Sequence, residues 1–320
     1  MARSSASLPG RSSGRNSGDS TDSSENTPMS PLRLPFLKAR AKTVMNKWWR
    51  LARLEHSFIV LVAIMVAEAI ATKRIDASLL PAAIGPAVLT AGVFALGDWF
   101  GWKTDKANRR TDMPIVSGEI KRSDALTFAA ALYFIGLALS LLFAPQAFWF
   151  VLAYALLSVT YDPVLKKIPF VGNLFVASTM AASFVYGGLV AAPSVPDALW
   201  TLAAMAFCTG VGRELLITLR DVKGDKKIGG RTLPMILGAR RTVLLASGFI
   251  CAAIAISALP IIRGAGTAYA ALVAFADLLF LLAIFKAMLS QNQETLREVR
   301  NVTLWAMIAG TLAFATLAFA

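Results

Sequence analysis

Two stretches decide how this chain folds: GDWFGWKTDKANRRTDMPIVSG (Gly97–Gly118) and ITLRDVKGDKKIGGRTLPMILG (Ile217–Gly238). At a constant offset of 120 residues, Asp105-Lys106 falls on Asp225-Lys226, Pro114 on Pro234 and Gly118 on Gly238, with no gap. Each stretch closes a long apolar run with acidic, basic and glycine residues. The match predicts a repeated four-helix unit whose two copies lie in the same membrane orientation.

Outward from these stretches the sequence is a series of apolar runs. The 320 residues are 56% hydrophobic and 16% charged, with a mean hydropathy of +0.61. Soluble domains carry roughly 25% charged residues. The runs are apolar on nearly all faces and approach the ~20 residues needed to cross a bilayer core of about 30 Å. Nine spans are predicted, at 57–72, 79–101, 125–143, 146–161, 170–191, 197–219, 241–260, 266–286 and 302–319, the fourth being short and aromatic. With the N-terminus cytoplasmic, 29 of the 32 Lys and Arg residues fall on the cytoplasmic side, leaving Lys73, Arg74 and Arg263 outside. That is the asymmetry of the positive-inside rule. The expected fold is therefore an all-α membrane protein of nine transmembrane helices, N-terminus inside and C-terminus outside.

The net charge of +13 sits in short loops, so topology and phosphate binding account for it and nucleic acid is not an expected partner. Residues 1–32 are expected to form a disordered Ser-rich tail, with ten serines in the first 30 residues. Arg3, Arg11 and Arg15 would suit a transit peptide, but Asp19, Asp22 and Glu25 would not. Residues 33–56 read as a basic amphipathic approach to the membrane, with Trp48 and Trp49, and 57–320 as the nine-helix domain. A multi-pass protein of the cell membrane is expected, an organelle membrane being the alternative. Cys208 and Cys251 lie in apolar segments and form no CxxC pair, and His56 stands alone, so neither disulfides nor a zinc site is expected.

The chemistry concentrates at the two acidic stretches. Asp221 and Asp225 are four residues apart and share a face if the helix continues there. Carboxylates that close repel unless a cation accompanies them, and Mg²⁺ binds through one or two carboxylates plus substrate phosphates. Arg220, Lys223, Lys226, Lys227 and Arg231 surround them and can donate to a diphosphate. A solvated loop obeying the positive-inside rule explains each of these basic residues taken singly. Arg213 and Glu214 fall inside span six, where ionisable residues are costly and by default functional, the alternative being a structural pair. Gly210 and Gly212 suit close helix packing. A transporter would place such groups nearer the membrane midplane than the cytoplasmic edge.

These residues resemble the UbiA-type intramembrane prenyltransferase superfamily, over roughly residues 48–320. Arg213-Glu214, Asp221-Val-Lys-Gly-Asp225 and Gly230-Arg-Thr-Leu-Pro234 match its second motif, with Thr218 where that motif has its first Asp. Lys167-Ile-Pro-Phe-Val-Gly-Asn173 resembles its connection between spans four and five, and Arg53-Leu-Glu55 its entry to span one. The likeness is strongest to the digeranylgeranylglyceryl phosphate synthase-like branch. The first motif departs further: Gly97 and Gly101 stand where the family has Asn and a middle Asp, while Asp98 and Asp105 are kept. The resemblance implies helices around a central cavity and Mg²⁺-dependent transfer of a prenyl group from a prenyl diphosphate to a lipid or aromatic acceptor. It implies Asp98, Asp105, Asp221 and Asp225 as catalytic residues, with Asp105, Asp221 and Asp225 as metal ligands. For substrate binding it implies Arg53, Lys106, Arg109, Lys167, Asn173, Arg213, Glu214, Lys223 and Arg231. Terpene cyclisation and a non-catalytic lipid-binding relative are the rival outcomes on the same scaffold.

Overall fold

Backbone polar groups in hydrocarbon must be satisfied within their own segment, so each apolar run becomes a helix. The computed structural model describes residues 46–107, 109–227 and 229–319, and among them there is no strand. The helices are α1 (Leu54–Thr72), α2 (Leu80–Ala107), α3 (Arg122–Phe143), α4 (Phe148–Tyr161), α5 (Val171–Ala191), α6 (Asp197–Lys227), α7 (Ala239–Ile262), α8 (Thr267–Leu289) and α9 (Gln293–Ala315). A short helix, Leu233–Leu237, precedes α7. The expected Ser-rich tail, residues 33–45 of the basic segment and the side chain of Lys223 lie outside the described residues.

Eight helices are long and apolar enough to cross a membrane by length and composition. The fourth expected span is shorter: with its 3-10 lead-in it covers only Pro145–Tyr161. Its 14 α-helical and three 3-10 residues reach about 27 Å at the standard rises.

Three helices outrun one end of their expected spans by more than a turn. The helix α9 starts at Gln293 because the Asn292 side chain caps it, accepting from the Thr295 backbone N–H at 2.7 Å. The helices α2 and α6 continue to Ala107 and Lys227. Both acidic stretches therefore begin on helix rather than in loops, with lysines in the last turn where the helix dipole favours them. Both helices stop the same way. The backbone N–H of Arg109 donates to the Lys106 carbonyl at 3.1 Å and that of Arg110 to the Asp105 carbonyl at 2.9 Å. In the second copy, Gly229 donates to Lys226 at 3.3 Å and Gly230 to Asp225 at 2.9 Å. This paired closure needs a left-handed residue, and Arg109 (φ 55°) and Gly229 (φ 73°) supply it.

Packing repeats as well. A Cβ on Gly92 would lie 3.0 Å from the Tyr133 ring of α3, and one on Gly212 would lie 2.8 Å from the Ala246 carbonyl of α7. Each glycine lets the following helix lie close, as small residues do between membrane helices. Away from these seams, large apolar side chains point outward: Phe134 and Trp149 are each 75% exposed. A soluble protein does not keep such surface bare, whereas lipid accepts it.

Candidate functional site

The first-copy side chains gather at the C-terminal end of α2. Helical residues 46–52 break at Arg53, whose left-handed backbone (φ 45°) begins α1. From there its guanidinium crosses to α2, donating from Nη2 to Asp98 Oδ1 at 2.8 Å and lying 4.9 Å from the Phe94 ring centroid. Asp98 is buried, and its Oδ2 has no hydrogen-bond partner. Two turns on, Asp105 pairs with Arg110 Nη1 at 3.3 Å. A Cβ on Gly101 would lie 3.7 Å from Asp105 Oδ2, so the glycine leaves open space beside that carboxylate.

The second-copy counterparts lie on α5 and α6. Asn173 Nδ2 donates to Thr218 Oγ1 at 2.7 Å, and Thr218 donates to the Glu214 carbonyl at 2.8 Å. Arg213 Nη1 and Glu214 Oε1 are 3.6 Å apart, the structural pairing that the sequence left as an alternative. The buried Nε of Arg213 remains without a partner. Arg220 grips Asp221 through Nε and Nη2 at 2.7 and 2.8 Å. Asp225 has no ion-pair partner among the described residues. Burial pushes its carboxyl above the usual carboxylate range, and Asp221 adds to the effect.

The connection after α4 joins the two copies, and here sequence reasoning missed two residues. Lys166 Nζ lies 3.2 Å from Asp162 Oδ1, and the Asp162 side chain is only 12% exposed. Burial pushes the Asp162 carboxyl up, as does Asp105, while Lys166 and Arg53 pull it down. Lys166 also acts electrostatically on Asp225, and Tyr161 feels Glu214, Asp162 and Asp225. The available signal was an Asp–Lys pair four residues apart directly after an apolar helix.

Of the expected site residues, Arg53 and Asn173 stand at the N-terminal ends of α1 and α5, and Asp98, Asp105, Arg213, Glu214, Asp221 and Asp225 in the C-terminal halves of α2 and α6. Arg109, Lys167 and Arg231 are exposed and have no carboxylate partner among the described residues. Lys106 lies 5.9 Å from the Trp102 ring centroid. Among the described residues no three His, Cys, Asp or Glu side chains converge on one metal position. Asp105 is thus not clustered with Asp221 and Asp225. The donor set still fits Mg²⁺. Its oxygens are hard, Asp225 and Asp98 Oδ2 are uncompensated, and this ion commonly takes one or two carboxylates with the rest from phosphate.

The sequence matches the UbiA prenyltransferase family over residues 58–308. Digeranylgeranylglyceryl phosphate synthase of Archaeoglobus fulgidus is 35% identical over 286 residues, covering 87% of this chain and 97% of that protein. The synthase of the same name from Thermococcus gammatolerans is 36% identical over 205 residues, 64% of this chain and 73% of its own. Among solved structures, one from work on digeranylgeranylglyceryl phosphate synthase in membranes superposes with a TM-score of 0.69 at 26% identity, covering 87% of this chain and 99% of that one. A UbiA homolog from Archaeoglobus fulgidus bound to GPP and Mg²⁺ superposes with a TM-score of 0.61, covering 84% and 99%; at 16% identity this likeness concerns the fold alone. Matched by the family over most of its length and by a relative over nearly all of that relative's length, the chain belongs to the UbiA prenyltransferase family.

Proposed function

We propose that the chain transfers a prenyl group from an isoprenoid diphosphate to a lipid acceptor of the geranylgeranylglyceryl phosphate kind, with Mg²⁺ as cofactor. The observation that carries this reading is the 35% identity to a digeranylgeranylglyceryl phosphate synthase across 97% of that relative. Bound Mg²⁺ would supply the positive charge that neutralises the departing diphosphate, the dominant electrostatic task of such a transfer. Asp221 and Asp225 from the second copy and Asp105 from the first would hold it. Arg109, Arg231 and Lys223, with Lys166 added from the geometry, would donate to the phosphate oxygens. Arg53 fixes Asp98, and Asn173 fixes Thr218, so both helix ends keep their facing. Apolar helix walls would keep water from the allylic cation until the acceptor attacks.

The test is product mass after incubation with geranylgeranyl diphosphate and geranylgeranylglyceryl phosphate, in Mg²⁺ and in EDTA. A Mg²⁺-dependent ether product supports the reading. Prenylation of an aromatic acceptor instead would redirect it to quinone-type chemistry, and a hydrocarbon or alcohol formed without acceptor to cyclisation. Gly97 and Gly101 favour a second reading, a non-catalytic lipid-binding relative, which release of no diphosphate under any condition would establish.

The proposed topology has nine spans, a cytoplasmic N-terminus and an external C-terminus, in the cell membrane. It rests on the Lys and Arg asymmetry and on the Arg53–Asp98 and Asn173–Thr218 contacts, which bring the N-terminal ends of α1 and α5 to the C-terminal halves of α2 and α6. In a chain carrying Cys208→Ala and Cys251→Ala, Val195→Cys should react with an impermeant label from outside and Lys226→Cys should not. Equal labelling would remove the topology.

A further inference from the structure

The second copy offers two carboxylates one helical turn apart, Asp221 and Asp225, whereas the first puts Gly101 in the slot of Asp221 and keeps only Asp105. A metal–diphosphate held between the copies would lack an oxygen on the first-copy side. One side chain from outside either copy's acidic stretch reaches α2 about one turn before Gly101, at Gly97. A Cβ placed on Gly97 would lie 3.2 Å from Asp162 Oδ2. Gly97 is thus a notch in α2, and the Asp162 carboxylate borders it. Asp162 also feels the charges of Arg53 and Asp105. Asp98, the residue after the notch, is itself buried with Oδ2 unpartnered.

We propose that Asp162 is the oxygen ligand missing from the first copy, carried by the connection after α4 into the notch that Gly97 leaves, about two turns of α2 before Asp105. The inference rests on the proposed Mg²⁺–diphosphate reading and assigns a residue that neither repeat contains. A purely structural ion pair accounts poorly for Asp162. Lys166 is 54% exposed, and so exposed a partner returns little of the cost of burying a carboxylate. A buried carboxylate gains most when a divalent cation takes up its charge, and Lys166 is then released toward phosphate and Asp225. Gly97 and Asp162 form one device: a larger side chain at 97 would push the carboxylate out of place.

The experiment measures Mn²⁺ binding to the full chain in detergent by the loss of the free-ion electron paramagnetic resonance signal. It is done with a non-transferable prenyl thiolodiphosphate present, so no turnover is read. Asp162→Asn, which keeps the shape and removes the charge, should weaken Mn²⁺ binding at least roughly ten-fold. Asp162→Ser guards against a folding fault in the first variant, and unchanged thermal unfolding confirms either. Gly97→Asn should weaken binding in the wild type yet add nothing to Asp162→Asn, the non-additivity expected of one coupled site. Gly101→Asp should restore binding in Asp162→Asn by supplying the carboxylate on the helix. Equal affinity of Asp162→Asn and wild type, or additive losses for the 97 and 162 changes, would overturn the assignment of Asp162 while the metal reading stands. A wild type that binds no Mn²⁺ with the thiolodiphosphate overturns both.

Discussion

Arg53 reaches across to Asp98, and 120 residues later Asn173 reaches across to Thr218, over the same separation in sequence. The Schellman closures at Arg109 and Gly229 repeat at the same offset, as do the glycine seats for the next helix at Gly92 and Gly212. What the copies share is therefore backbone: where a helix stops, how closely the next approaches, and which two positions lock an entry to a helix end. What they do not share is charge. The first copy locks with a buried ion pair and presents one carboxylate beside a glycine. The second locks with neutral groups and presents two carboxylates. Geometry set by steric fit persists under duplication, because one altered contact disturbs its neighbours. The side chains facing the space between the copies can change one at a time.

The largest effects should separate the copies by chemistry. Asp225→Ala and Asp221→Ala should each lower Mg²⁺-dependent turnover by roughly 100-fold or more while leaving detergent unfolding curves unchanged. Neither carboxylate packs in the core. Asp105→Ala should be comparably severe in turnover. Wild-type activity in both second-copy variants would mean that metal chemistry does not reside there.

Next comes the contrast between the locks. Arg53→Ala leaves a buried Asp98 without its cation, a loss of about 3–5 kcal/mol when one partner of a buried pair is removed. Asn173→Ala leaves only a neutral hydroxyl that still donates to the Glu214 carbonyl, a loss of about 1 kcal/mol. Chemical unfolding in detergent measures both, and equal losses would break the comparison. Arg53→Ala/Asp98→Asn should recover part of the first loss, since no bare charge remains.

The smallest effect concerns the helix stops. Arg109 holds a left-handed backbone that glycine adopts without strain. Arg109→Gly should stabilise by up to about 1 kcal/mol, and Gly229→Arg should destabilise by a similar amount. If Arg109 also binds phosphate, the same Arg109→Gly variant should raise KM for the prenyl diphosphate while it raises Tm. A change in Tm alone would restrict Arg109 to capping.

Apolar run lengths, the placement of basic residues and the 120-residue offset were sufficient to read helices, their order and the two acidic helix ends from the chain alone. These features follow from local periodicity and from the cost of bare backbone or charge in hydrocarbon, both of which act along a single segment. The same signals led to Asp105, Asp221 and Asp225, and the family resemblance added Asp98. They did not reveal that Arg220 occupies Asp221 and left the Arg213–Glu214 pair as one of two readings, because neighbouring side chains choose partners only after helices set their facing. Nor did they reveal Asp162, which has no counterpart in either acidic stretch. Its place beside Gly97 depends on how closely α4 and α2 end together, and nothing in the spacing of residues 97 and 162 encodes that. Contacts between side chains far apart in sequence arise from packing of whole helices, and only the tertiary structure decides them.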